Sequence, residues 1–536
     1  MTPGDVQQPV GEAQMVTSPT QSNRRHDLDA LRAFAMLLGI ALHGALAYYP
    51  APWPVQDPQQ HPAFGIFVAA VHGFRMQLFF VLAGLFTAMV WRRKGLPNLL
   101  RNRASRVLLP CLIGLVTVVP IFHWITAKVT TPSLPVVREY RTGDDVNAPD
   151  TQFRVTPLSW SALQGDLPMA QSLVTNGANV NGKNGDGSTP LHSAAFVGRE
   201  DIVKFLLAKG ADPNLRDNNG QLPSDSARAD EGTTQFLIGY LRLSPRSQSD
   251  IQAGRERLLP LLPAGTAPTS ANAKPAGGIR ESYLGFLSTG PLASIFTANV
   301  FDHLWFLWDI CFLMGAFAVW ATIEARRSTS TASRFRTWIL SPRRYLWLIP
   351  LTLIPQALMG MNGYVFGPDT ATGLLPPPHL LAYYGIFFSF GILYVDADDA
   401  SNELGSHWYV TLPVAILLVL PIALVTQPLM RPLSDFLQVC YAWLMVTGGI
   451  GLFRRVLSRE NARIRYVSDA SYWMYLIHLP LLVILQALAL PLAISAPVKF
   501  LLLMGISLAL LLVSYQLLVR NTPIGTLLNG SRRRKE

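Results

Sequence analysis

Apolar residues fall along this chain in long blocks separated by short polar stretches, not in the three-four spacing of a soluble amphipathic helix. Runs such as Val107–Val119 and Leu501–Leu518 hold no charge. Each sits in a region long enough to cross a bilayer, which takes about 20 residues. Ten spans are predicted, at approximately 30–49, 70–91, 107–126, 303–323, 345–362, 378–396, 407–427, 435–453, 469–490 and 498–519. The predicted fold class is all-α: a polytopic transmembrane helical bundle with a small helical insert after the third span.

The insert, residues 128–300, breaks the block pattern and carries an internal repeat. Thr156-Pro157-Leu158 recurs as Thr189-Pro190-Leu191-His192 and then as Leu222-Pro223, a period of 33 residues. Ala162 is echoed by Ala195, and Asn176-Gly177-Ala178-Asn179 by Lys209-Gly210-Ala211-Asp212. This resembles the ankyrin repeat over residues 156–241, two full units and a degenerate third, near the minimum for a stable stack. Segments 128–155 and 242–300 are expected as linkers, the second Pro-, Ser- and Ala-rich at Leu261–Gly278. The membrane part then divides into 24–127 and 301–520, preceded by a disordered stretch 1–23 and followed by a basic tail 521–536. An ankyrin stack binds or spaces and holds no catalytic group. Its implied partner is a protein, and the alternative is an insertion with no partner.

Composition agrees with the blocks. Half of the 536 residues are hydrophobic, 14% are charged and the mean hydropathy is +0.27; a soluble protein carries nearer a quarter charged residues. The net charge of +11 does not imply nucleic acid, because the basic residues cluster between spans. Arg92, Arg93, Lys94, Arg101, Arg103 and Arg106 follow the second span, Arg326 to Arg344 the fourth, and Arg532–Lys535 form the tail. The loops Pro50–Ala63 and Gly363–Pro377 contain no Lys or Arg. The positive-inside rule therefore places both termini in the cytoplasm and the insert outside. The first two dozen residues hold no apolar h-region, so the first span is expected to serve as the insertion signal. Cys111, Cys311 and Cys440 show neither paired nor metal-ligand spacing, which predicts no disulfide and no metal site.

The candidate chemistry lies within the spans. Arg32 and His43 are eleven positions apart, which at ~100° per residue returns to nearly the same helix face, ~16 Å farther along the axis. Gly39 and Gly44 beside that stripe leave room for a ligand. Arg32 also reads as a snorkelling anchor, and His43 as a histidine bonded to a neighbouring helix. His478 and Asp309 fall at a depth similar to that of His43, a layer that suits a reaction centre or a proton relay equally. Arg75 opens the second span and either binds an anionic group or reaches the interface. Arg103 and Arg106 either meet a phosphate or retain a basic loop. No GxSxG or catalytic-cysteine pattern is present.

Five segments in order carry a resemblance: Asp29-Ala30-Leu31-Arg32, the Arg32-to-His43 spacing, Arg75-Met76…Phe79-Phe80…Gly84, His303-Leu304-Trp305-Phe306-Leu307, and Ser471-Tyr472…Tyr475-Leu476…His478. Together they are similar to the membrane acyltransferase-3 family, in its glucan-modifying branch, which includes the succinylation of periplasmic glucans. The likeness runs through 24–127 and 300–520, and the ankyrin insert departs from it. The resemblance implies an inner-membrane enzyme moving an acetyl or succinyl group from cytoplasmic acyl-CoA to a carbohydrate hydroxyl on the far side, with no bound cofactor. It implies His43 as general base and Arg32 on the CoA phosphates, with Asp309 and His478 in support. Asp29, Arg75, His303, Trp305 and Tyr475 are the implied substrate-binding residues. A polysaccharide or lipid-linked sugar transporter and a membrane scaffold built around the ankyrin part remain alternatives.

Overall fold

The computed structural model describes residues 25–49, 53–129, 145–149, 155–218, 220–229, 248–263, 293–324, 336–360, 365–427 and 430–529, with isolated positions at 234, 237–238, 243, 280, 283–284 and 286–287. The expected disordered start, much of both linkers, the arginines at 326, 327 and 334, and the tail arginines lie outside these residues.

Among the described residues the architecture is entirely helical. Among the described residues eight segments are long and apolar enough to cross a membrane, where ten spans were expected. Two of the expected spans lie within one segment, Pro62–Val129. It comprises α2 (Pro62–His72), α3 (Arg75–Arg103) and α4 (Leu109–Val129). α3 breaks at Gly95, whose φ of 75° is left-handed, two residues before Pro97. The expected span at 345–362 is a helix of only 12 residues, Tyr345–Gln356, carrying Pro350 and Pro355 inside it. At ~1.5 Å per residue that is ~18 Å, short of a ~30 Å hydrocarbon core.

The first helix, α1 (His26–Ala45), lies at the centre of the bundle and packs on the helix Ala462–Ala489 and on Arg431–Val456. Lipid tails are as apolar as the helices, so association depends on close fit. The packing of α3 on Pro378–Asp396 shows this fit at its tightest. A Cβ on Gly84 would stand 1.9 Å from the Phe388 carbonyl oxygen, and one on Gly391 2.1 Å from that of Val81. Only hydrogen at both places lets the two backbones meet.

The insert folds as paired short helices: α5 (Pro157–Gln164) with α6 (Leu167–Thr175), α7 (Pro190–Phe196) with α8 (Glu200–Ala208), and the single turn α9 (Pro223–Ser226). The Thr-Pro-Leu signature explains itself here. Thr caps the helix and Pro occupies the first turn, where no amide hydrogen is needed. His192 closes the capping box, accepting from the Thr189 amide at 3.1 Å, while its Nε2 donates to the Gln221 carbonyl at 3.0 Å and ties one repeat to the next. The Asn147 amide bonds to Gly177 and Asn179, and Asn181 repeats that pattern on Gly210 and Asp212. The repeat pattern thus already exists at 145–149. A helix at Gln248–Leu258 closes the other end: buried Arg255 donates to the Phe196 and Ala229 carbonyls.

Candidate active site

Arg32, Met36, Gly39 and His43 recur at intervals of four, three and four, and all four line one cavity of about 380 Å³. α3 contributes Arg75, Met76, Phe79 and Phe86 to its wall. The helix Trp305–Glu324 and the turn before it add His303, Trp305 and Phe306, and Ala462–Ala489 adds Ser468, Ser471, Tyr475 and His478. The stripe expected from the sequence spacing is therefore the face that α1 turns to the cavity.

At the deep end the hydrogen bonds fix where the protons are. Nδ1 of His478 lies 2.7 Å from the Tyr475 carbonyl oxygen, which can only accept, so that nitrogen carries hydrogen. With the ring neutral, His478 Nε2 holds a lone pair, and it stands 2.9 Å from His43 Nδ1. His43 must therefore donate from Nδ1, which leaves its Nε2 with the lone pair. The third ring, His303, donates from Nε2 to the Leu476 carbonyl at 3.0 Å. That carbonyl is open because its helical partner four residues on is Pro480, which has no amide hydrogen. Tyr475 donates its hydroxyl to the His303 carbonyl, closing the cluster. His303 Nδ1 has no hydrogen-bond partner among the described residues.

Arg75 reaches the same end of the cavity and is only 9% exposed. Its one hydrogen bond among the described residues is a long contact from Nη2 to Met76 Sδ at 3.4 Å, and Nε has none. Gly39 makes its position possible, since a Cβ there would lie 2.6 Å from Arg75 Nη1. A buried guanidinium with so few partners is costly and is set up to receive an anion or a developing negative charge.

The opposite end of the cavity is basic. Arg32 Nη2 donates to the Ser468 carbonyl at 2.9 Å and to its hydroxyl at 2.8 Å, and lies 3.8 Å from Asp29. Arg103, Arg106 and Asn102 line the mouth, with Leu528 of the C-terminal helix Pro523–Asn529 beside them. Arg103 donates to Thr87 Oγ1 at 3.2 Å. One cavity thus joins a cationic mouth to a histidine cluster, separated along α1 by the ~16 Å rise between Arg32 and His43.

The model of the acyltransferase domain matches residues 25–163 and 257–516, which is most of the chain and all of the cavity wall except Leu528. The chain belongs to the acyltransferase-3 family. A second model, ankyrin repeats in three copies, matches residues 125–217, in agreement with the bond pattern at Asn147. Glucans biosynthesis protein C of Escherichia coli K12 is 36% identical over 98 residues, 18% of this chain and 26% of that protein. The same protein from Escherichia coli O139:H28 matches to the same extent. The match to these curated relatives spans about a quarter of their length.

Of the residues singled out in the acyltransferase-3 resemblance, the cavity gathers His43, Arg32, His478, Arg75, His303, Trp305 and Tyr475. Asp29 stands behind Arg32 as its ion-pair partner. Asp309 is fully buried but is not among the lining residues, and neither carboxylate oxygen has a hydrogen-bond partner among the described residues. It lies outside the residues that line the cavity.

Two further residues at the site carry no motif. Gln486 Nε2 donates to the His43 carbonyl at 3.3 Å and that of Gly44 at 3.1 Å, satisfying acceptors that the end of α1 leaves open. Its Oε1 accepts from Trp53 Nε1 at 2.8 Å, and the Trp53 ring lies parallel to His43 at 5.8 Å. The signal for Gln486 is a lone amide in an apolar run; for Trp53, an aromatic in a proline-rich loop, there is none.

Proposed function

We propose that this protein is a membrane O-acyltransferase that moves an acetyl or succinyl group from acyl-CoA to a hydroxyl of a carbohydrate, with His43 as general base. The observation that carries this reading is the lone pair left on His43 Nε2, at the far end of a cavity whose other end is lined by Arg32, Arg103 and Arg106. The cationic mouth suits the phosphates of the donor, by charge-assisted hydrogen bonds. The ~16 Å between mouth and base is of the order of a pantetheine arm, so a thioester carbonyl held at the mouth by its nucleotide reaches the histidines.

In the step itself, Nε2 of His43 takes the proton of the acceptor hydroxyl as that oxygen attacks the thioester carbonyl. His478 steadies the imidazolium by accepting at its Nε2 from His43 Nδ1, and Arg75 faces the oxyanion. The tetrahedral intermediate collapses, the carbon–sulfur bond breaks, and the departing thiolate takes the proton back from His43. One ester and one free thiol result, with no net change at the histidine.

The glucan named in the relatives supports a saccharide as acceptor, and the basic loops support an inner-membrane protein with both termini cytoplasmic and the ankyrin unit outside. On that orientation the donor enters from the cytoplasm, and the ankyrin repeats meet a protein partner beyond the membrane. The test is transfer of label from acetyl- and succinyl-CoA to cell-envelope glycan, comparing wild type with His43→Ala. Label that enters glycan only with His43 intact is the expected result. Equal labelling by both proteins would remove His43 from the chemistry.

A further inference from the structure

The residues lining the cavity include Arg106 and Leu528 at the cationic mouth and His43, His478, His303 and Arg75 at the histidine cluster, and neither Trp53 nor Gln486 is among them. Beyond His43 stands Trp53, ring against ring, its indole N–H held by Gln486, which in turn holds the last carbonyls of α1. Trp53 is half-buried and packs with Val55, Phe122, Ile125, Leu479 and Val483, which fill the space between α4 and Ala462–Ala489. The chain just after it is pinned. Asp57 makes an ion pair of 2.6 Å with Lys499, both about 2–3% exposed, and the Asp57 and His61 amides donate to the Ala47 and Tyr48 carbonyls. Motion at this point therefore belongs to one side chain and its latch rather than to the strap behind it.

We infer that Trp53 and Gln486 form a gate between the histidine cluster and the side of the membrane opposite the arginines, and that the acceptor reaches His43 only when the indole swings out. This rests on the acyl-transfer reading for its purpose but not for its test. A closed Trp53 keeps water from that side off the thioester until an acceptor arrives, which explains why a polar reaction centre is capped by an aromatic ring. The swing breaks the Gln486 hydrogen bond and the contact with the His43 ring and loosens the packing of the indole on its apolar neighbours.

The experiment uses the full chain with Cys111, Cys311 and Cys440 replaced by alanine and Met36→Cys introduced inside the cavity, in sealed vesicles of either orientation. A small membrane-impermeant anionic methanethiosulfonate added on the Trp53 side should label the new cysteine slowly. With Trp53→Ala, or with Gln486→Leu, which leaves the indole in place but unlatched, labelling should accelerate about tenfold or more. Labelling from the arginine side should not depend on either change. Equal rates from the Trp53 side in all three proteins would overturn the gate. No acyl donor is present, so this result stands whether or not acyl transfer is found.

Discussion

His478 offers the sharpest test of how the site works, because it touches His43 and nothing at the cationic mouth. Replacing it with leucine removes the acceptor that holds His43 Nδ1–H at 2.9 Å. A neutral hydrogen bond contributes about 0.5–1.5 kcal/mol net, and one to an imidazolium about twice that. His43 is charged only while it holds the hydroxyl proton, so the loss falls on the transition state by roughly 1–3 kcal/mol. At about 1.4 kcal/mol per tenfold, His478→Leu should lower kcat by about 5- to 140-fold and leave KM for the donor within about twofold. His478→Gln, whose amide oxygen accepts from Nδ1, should recover most of the loss. His478→Lys presents only donors, opposes the required tautomer and should be worse than leucine. Steady-state transfer from labelled acyl-CoA, with donor and acceptor varied separately, reads all three. Unchanged kcat in His478→Leu, in a protein whose His43→Ala variant is dead, would refute the proton assignment.

Two other expectations concern stability. Lys499→Met should destabilise the membrane part by about 3–5 kcal/mol, because it strands Asp57 in a buried site. Lys499→Met with Asp57→Asn should regain most of that, and thermal midpoints in detergent decide it. In the ankyrin unit, burial holds His192 below the ordinary histidine value of about 6.5. The unfolded chain therefore binds its proton first as pH falls, so stability is full above pH ~7 and declines from about 6.5 downward. Hydrogen exchange at residues 189–196 of the full chain, corrected for the intrinsic rate, should show less protection at pH 5 than at pH 7. Equal protection would remove His192 from the repeat's stability.

Apolar run length located most of the helices, since a span must be long and uncharged to exist at all. It reads less clearly where prolines intervene: among the described residues the helix at 345–356, with Pro350 and Pro355 inside it, is shorter than a span although its residues are as apolar as a span's. The cavity face of α1 was legible because helix geometry converts an eleven-residue interval directly into an angle. That Asp309 does not line the cavity was not legible. The helix Trp305–Glu324 is apolar on every side, so nothing in its sequence says which residues turn to the cavity. Trp53 and Gln486 meet across 433 positions, and no local pattern reports a contact of that kind. The start of the ankyrin pattern at Asn147 was hidden because its signal is a single asparagine bonding across to the next finger.

The two carbonyls that orient His478 and His303 come from adjacent residues of one helix, and one of them is available only because Pro480 lacks an amide hydrogen. The site's proton bookkeeping is thus written into main-chain atoms, which substitution at 475 or 476 cannot delete. Side chains around the rings are free to drift toward a new acceptor while the tautomers stay put. The vulnerable letter is position 480: any residue there other than proline restores a competing donor for Leu476, and a change in backbone hydrogen bonding alone would then unsettle the imidazole of His303.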